Sequence, residues 1–179
     1  MAAREVPQPD PSRLTPFVGH PAVVGVVPGQ PQLVALTAAA WAQANGGATL
    51  YFAYADPARY AVEERADGTV HHAGVDPDGP GDEWQATQRG LEGFLHGVVG
   101  PTGVPWEFRY LAGRADRALT HLARAVDAST IIVGTRAPGV RQGLREFVDG
   151  SVAVHLAHHQ HRPVLVVPLG VVDWKTPLA

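Results

Sequence analysis

Short apolar runs alternate along the chain with longer stretches whose apolar residues recur at helical spacing. "HPAVVGVVPG" (20–29) is a β-branched run closed by Pro-Gly, the pattern of a strand buried on both faces. In "QPQLVALTAAAWAQANGG" Leu33, Leu36, Ala40, Trp41 and Ala44 fall at helical spacing, Pro31 suits a first turn, and Asn45-Gly46-Gly47 is a stop signal. "ATLYFAYADP" (48–57) predicts a second buried strand, so the chain opens β-α-β. The stretch 58–82 breaks this rhythm. Two short runs flank Asp67-Gly68, which predicts a small exposed hairpin, with coil as the alternative, and the loop "DPDGPGD" follows. From Glu83 onward Trp84, Gln88, Leu91, Leu95 and Val98 share one helical face, weakened by Gly90 and Gly93. "PWEFRYLAG" (105–113) predicts a third strand. "RADRALTHLARAVDA" predicts the clearest helix, with Ala115, Ala118, Leu119, Leu122 and Val126 as its apolar stripe. "STIIVGT" is a fourth strand, "GSVAVHLAHHQH" a helix and "RPVLVVPLG" a fifth strand.

Strands alternating with helices predict an α/β fold of three layers, doubly wound, with a parallel sheet covered by helices on both faces. The 179 residues show no internal repeat or second core. One domain over 20–170 is expected, between a flexible tail at 1–19 and a C-terminal tail at 171–179. The N-terminal stretch holds four prolines and no hydrophobic run, which does not match a signal peptide. No apolar stretch approaches the roughly 18 residues of a membrane span, so a cytoplasmic protein without membrane contact is expected. A net charge of −3 offers no broad basic face for nucleic acid. The absence of cysteine removes disulfides, thiolate metal sites and thiol nucleophiles together.

In an open parallel sheet, ligands bind beyond the carboxyl ends of the strands. Two glycine-containing segments fall there: "VVPGQP" after the first strand and "VGTRAPGVRQGLREFVDGS" (133–151) after the fourth. Gly150-Ser151 opens a helix, where unpaired N–H groups and the positive dipole end favour phosphate. Arg136, Arg141 and Arg145 are able to clamp phosphates or to stand as solvated loop charges. No Gly-Lys-Ser/Thr closes the loop, so it is not a P-loop, and it falls too late for the dinucleotide fingerprint. On residues alone, a phosphate cradle and a long connection remain open.

"ASTIIVGTR", a Gly-containing loop and then "GSVAVHLAHHQHRPVLVVP" resemble the C-terminal signature of the universal stress protein family. "LAGRADRALTHLARAVDASTIIVG" and the "VVGVVPG … ALTAAAWA" opening resemble its third helix with fourth strand, and its first strand with first helix. The resemblance runs from about residue 20 to 168 and implies a five-stranded sheet in the order 3-2-1-4-5. It also implies a homodimer through the last strand, about 163–172, and a stress-response or signalling role with an adenine nucleotide, ATP or AMP, as cofactor. Mg would enter only with that nucleotide.

The family's nucleotide motif is Gly-x2-Gly-x9-Gly-Ser/Thr plus an Asp in the turn after the first strand. Gly134, Gly150 and Ser151 match it. Ala137 replaces the second Gly, Gly150 comes three residues late, Gly139 and Gly143 are stand-ins in a longer loop, and Pro28 replaces the Asp. Carried over, the site comprises Val26, Ala55, Gly134, Arg136, Gly139, Gly143, Gly150, Ser151 and Val152. Its binding is expected to be weak, and Asp149 reads as a helix N-cap. A nucleotide-free dimeric scaffold of the same fold is the alternative.

Other polar residues carry less. His155 and His159 have an i, i+4 spacing that suits zinc, but no third ligand is evident, and Val152, Ala153, Leu156 and Ala157 take the core face. His71-His72 reads the same way, and Asp76 and Asp78 read as turn residues. Trp41, Trp84 and Trp106 read as packing. No Gly-x-Ser-x-Gly elbow or close carboxylate pair points to catalysis, so slow ATP hydrolysis is the most expected of it.

Overall fold

The computed structural model describes residues 9–76, 83–135 and 151–170. Arg136, Ala137, Gly139, Arg141, Gly143, Arg145, Asp149 and Gly150 lie outside these, as does Asp78. Seven strands are described: β1 Ala22–Gly25, β2 Leu50–Asp56, β3 Arg59–Glu64, β4 Val70–Gly74, β5 Trp106–Ala112, β6 Thr130–Gly134 and β7 Val164–Val167. The helices are α1 Leu33–Ala44, α2 Glu83–Val98, α3 Ala115–Ala125 and α4 Ser151–His159.

Five strands form one sheet in the order β5-β2-β1-β6-β7, every pair parallel. Counted along the chain without the hairpin strands, this is the expected 3-2-1-4-5. The strand residues alternate between two cores. Val24, Leu50, Phe52, Tyr54 and Ile132 face α1 and α2, while Val23, Ala53, Ile131 and Val133 face α3 and α4. Burial on both faces explains why these strands read as unbroken apolar runs. Among the described residues no helix is long and apolar enough to cross a membrane.

The stripes of α2 and α3 fall where the sequence places them: Leu91 and Leu95 are buried, as are Ala115, Leu119 and Leu122. Helix α1 differs. Its buried face is Val34, Ala35, Ala38, Ala39 and Ala42, whereas Leu33 and Leu36 are 49% and 43% exposed and Trp41 is half-buried. An almost wholly apolar helix fits its apolar periodicity to several faces, and burying the alanine face lets the backbone lie close to the sheet. The helix stops as expected, with Gly46 and Gly47 at φ +77° and +76°. On α4, Val152 and Leu156 are buried but Ala157 is exposed.

β3 and β4 form the expected hairpin as a separate two-stranded sheet lying against β5. Its connection is longer than the two-residue turn that Asp-Gly suggests. Glu64 pairs with Val70, Arg65 N–H donates to Thr69 O, and Asp67 Oδ1 accepts both the Thr69 N–H and its hydroxyl. Gly68, at φ +80°, is buried against Leu122 of α3 and Val126 just after it. The hairpin therefore covers the β5 side of the sheet. Residues before β1 also pack on the domain: Phe17 sits edge-on to Trp41, ring centroids 6.2 Å apart.

Candidate functional site

The strand order reverses beside β1. From β1 the chain moves through α1 to β2 on one side, and it later returns through α3 to β6 on the other. Such a reversal opens a crevice at the strands' carboxyl ends. Val26 extends β1 by donating its N–H to Ala53 O at 2.9 Å. The chain then turns sharply: Gln30 N–H donates to Val27 O at 3.2 Å, with Pro28 and Gly29 between them and Gly29 at φ +75°. Pro followed by a residue of positive φ is what a type II turn requires. Pro28 thus stands at the tip of the turn, where the family pattern has a carboxylate, and it supplies no polar side chain.

Gln30 supplies one. Its side-chain Oε1 accepts the Val27 N–H at 3.1 Å. This fixes the amide's orientation, because that N–H needs an acceptor. The Nε2 end then lies over Gly134, where an added Cβ would sit 2.8 Å from Nε2, 2.9 Å from Val34 Cγ2 and 2.7 Å from Leu169 Cδ1. Gly134 is glycine because three side chains close over it. Nε2 has no hydrogen-bond partner among the described residues. Nothing in the sequence marked Gln30, since an uncharged amide belongs to no motif. The usable signal was a Pro-Gly turn followed by a side chain able to bond back to it.

Beside this turn lies a pocket of about 460 Å³, lined by Val27 to Gln30 and by Ala86, Thr87, Gly90, Leu91 and Phe94 of α2. Its volume is in the ordinary range for a small-molecule site, roughly 300–1,000 Å³. Glycine at position 90, which only weakens the helix in a sequence reading, here lines the pocket wall.

Val26, Ala55, Gly134, Ser151 and Val152 all belong to this end of the sheet. Val26 is buried on the α1 side and Ala55 on the α3 side, so both present backbone to the crevice. Val152 is buried against the α3 face, which leaves its backbone as the part able to meet a ligand. The first N–H groups of α4 have no acceptor within the helix.

One residue beyond Ala55, Asp56 heads a cluster that the sequence reading missed. Its Oδ1 accepts the Ala58 N–H at 2.9 Å and its Oδ2 accepts the Tyr110 hydroxyl at 2.7 Å. Burial raises the Tyr110 phenol, and the bond to Asp56 raises it further. Burial also pushes Tyr54 up to about 12, with Asp56 adding to it. His72 of β4 packs on Tyr110 and Trp84, ring centroids 5.2 and 4.8 Å away. Arg59 donates Nε–H to His72 Nδ1 at 2.6 Å and lies over the Trp84 ring. Burial first, and then Arg59, lowers the His72 pKa. The neutral ring accepts at Nδ1 and keeps its proton on Nε2. These residues come from β2, β3, β4, α2 and β5, with Asp56 and Tyr110 alone 54 positions apart, so no local pattern announces them.

His155 and His159 stack at 5.8 Å, and no group of three or more candidate metal ligands occurs among the described residues.

Sheet order and crevice together define an α/β protein of the kind whose ligands lie at a topological switch point. The chain belongs to the universal stress protein family, whose model matches residues 20–168. Among solved structures it is similar to a universal stress protein from Archaeoglobus fulgidus in complex with dAMP. They share 20% identity and a TM-score of 0.58, over 84% of this chain and 98% of that one. A universal stress protein in complex with cAMP shares 21% identity and a TM-score of 0.54 over 84% and 98%. One from Lactobacillus plantarum shares 19% and 0.53 over 84% and 98%. Likeness at these identities concerns the fold. No curated protein sequence matches the chain.

Proposed function

We propose that this protein is a cytoplasmic stress-response or signalling protein that binds an adenine nucleotide weakly in the crevice at the ends of β1, β2 and β6. One observation carries the reading: a pocket of about 460 Å³ between the turn after β1 and α2, edged by Gln30, whose Nε2 has no partner among the described residues. Family membership and the dAMP and cAMP complexes of two similar proteins support it. The base would lie against the backbone near Val26 and Ala55, and the phosphates would take the N–H groups of Gly150, Ser151 and Val152. Gly134 would offer backbone only, since Gln30, Val34 and Leu169 fill the space beside it. Mg would arrive with the nucleotide. Pro28 removes the carboxylate expected at the nucleoside end, roughly 1.5–3 kcal/mol for a charged hydrogen bond, or about ten- to a hundredfold in affinity.

The test is calorimetric titration of ATP and AMP into the wild type and Gly150→Val. Weak, saturable binding that the valine abolishes supports the reading. Identical heats from the two proteins would give first place to a nucleotide-free homodimeric scaffold. That second reading draws on β7, an edge strand with Leu165 and Val166 about two-fifths exposed, while the hairpin covers the opposite edge.

A further inference from the structure

The end of the sheet opposite the crevice, where β6 and β7 begin, carries another concavity. An open cleft of about 860 Å³ lies between residues 9–13, the last turn of α3 and the residues that end and follow α4. Arg13, Arg124 and Arg162 line it from three separate stretches of chain, together with His158, His159 and His161. Arg162 is only 9% exposed. Its Nε donates to Ala128 O at 2.5 Å, which fixes the plane of the guanidinium, and its terminal nitrogens have no partner among the described residues. The side chains of Arg13 and Arg124 likewise make no hydrogen bond or ion pair among the described residues.

The three arginines border one cleft with His161. The His161 imidazole is held below its ordinary pKa first by burial and then by Arg162, Arg13 and Arg124. Two carboxylates offset them: Asp10 lines the cleft with an oxygen committed to the Ser12 N–H, and Asp127 acts on Arg162. The negative carboxyl ends of α3 and α4 account for Arg124, His158 and His159 as dipole partners. They do not account for Arg13 or the buried Arg162.

We propose that this cleft binds a small phosphate-bearing anion, separately from the crevice. A guanidinium fork matches two oxygens of a phosphate, and a second and third cation answer its higher charge. Two exposed guanidinium groups beside a buried third repel it and one another, and an anion among them relieves that repulsion. Free pyrophosphate and the phosphate end of an ester share this chemistry.

The experiment titrates pyrophosphate into the full chain by calorimetry at neutral pH and low salt. It is repeated on the Arg13→Gln, Arg124→Gln double variant, whose two sites are exposed, and on Gly150→Val, which targets the crevice. Circular dichroism checks that both variants fold. Saturable binding is expected in the wild type, at least tenfold weaker in the double variant and unchanged in Gly150→Val. Glycerol 3-phosphate in a parallel titration separates the sources: equal affinity points to an ester, much weaker affinity to the free anion. The proposal is overturned by an absence of saturable heat in the wild type, or by a double variant that keeps wild-type affinity. Neither result depends on whether a nucleotide binds the crevice.

Discussion

The Tyr110 hydroxyl donates to Asp56 Oδ2 at 2.7 Å and so ties the end of β2 to β5 beneath the hairpin. Asp56 uses its other oxygen to hold the Ala58 N–H, which starts the turn into β3. One carboxylate therefore fastens the edge strand and the entry to the insertion together. Tyr110→Phe keeps the ring packed on Tyr54, His72 and Trp84 but removes the only donor to Oδ2 among the described residues. A loss of about 1–2 kcal/mol is predicted, the cost of leaving a half-buried charged acceptor unpaired. Urea denaturation measures it, and a change below about 0.5 kcal/mol would show that water replaces the phenol.

Acid should loosen the hairpin. The His72 pKa is lowered from 6.5, by burial first and Arg59 next, so the folded state binds that proton less readily than the unfolded chain. Its stabilising contribution is then fully present above about pH 6.5 and lost as pH falls from there through the folded value. His161 is shifted the same way and adds to the loss. The predicted result is a fall in urea midpoint between pH 7.5 and 5.5 that is smaller in His72→Phe, where the ring packing survives without a titrating group. Equal falls in both proteins would remove His72 from the explanation.

Much of this fold was legible because its strands are short and buried on both sides, while α2 and α3 mix polar and apolar residues. Leu91, Leu95, Leu119 and Leu122 stand where periodicity puts them. Helix α1 was legible as a helix but not in its rotation, because a segment as apolar as "LVALTAAAWA" satisfies several faces and packing of the alanines decides among them. The crevice was found through strand ends and glycines. Its polar lining was not, since Gln30 acts through a bond to its own turn and Asp56 through a partner on another strand. Tertiary contacts of that kind leave no periodic trace.

Two glycines of similar φ separate strain from packing. Gly29 has φ +75° with nothing near its missing Cβ, whereas Gly68 has φ +80° and a Cβ there would overlap a methyl of the buried Leu122. Gly29→Ala should cost about 1 kcal/mol, the penalty of a left-handed alanine. Gly68→Ala should cost about 1–3 kcal/mol more, because overpacking adds to that strain. Thermal melts of the two variants compare them directly. Equal destabilisation would mean that the hairpin tip moves off α3 without loss.

The β7 edge, which no other described strand pairs with, gives the scaffold reading its own test. Leu165 and Val166 are 38% and 40% exposed at the end of the sheet that no hairpin covers. An exposed apolar edge strand invites pairing with another chain, and a charge placed on it opposes that pairing. A homodimer built around 163–172 is predicted for the wild type by light scattering at micromolar concentration, and a monomer for Val166→Lys. A wild-type monomer, or a dimer indifferent to the lysine, would place any association elsewhere.

The last prediction concerns Gln30, whose amide stands near the position left bare by Pro28. With Oε1 committed to the Val27 N–H, the side chain offers the pocket a pair of donors, whereas a carboxylate would offer acceptors. The nucleoside would then be held through its own acceptor atoms, ring nitrogens or sugar oxygens, and less through its amino or hydroxyl hydrogens. Gln30→Ala should weaken AMP binding about two- to tenfold, the range of one neutral hydrogen bond of roughly 0.5–1.5 kcal/mol. Gln30→Glu keeps an oxygen for the Val27 N–H but turns the other end from donor into a charged acceptor. It should weaken binding more than alanine does, since it sets a negative charge near an anionic ligand. Calorimetry on the three proteins ranks them. If glutamate binds AMP as tightly as glutamine or more so, the amide donors are not what the nucleoside meets, and the base lies away from the β1 turn.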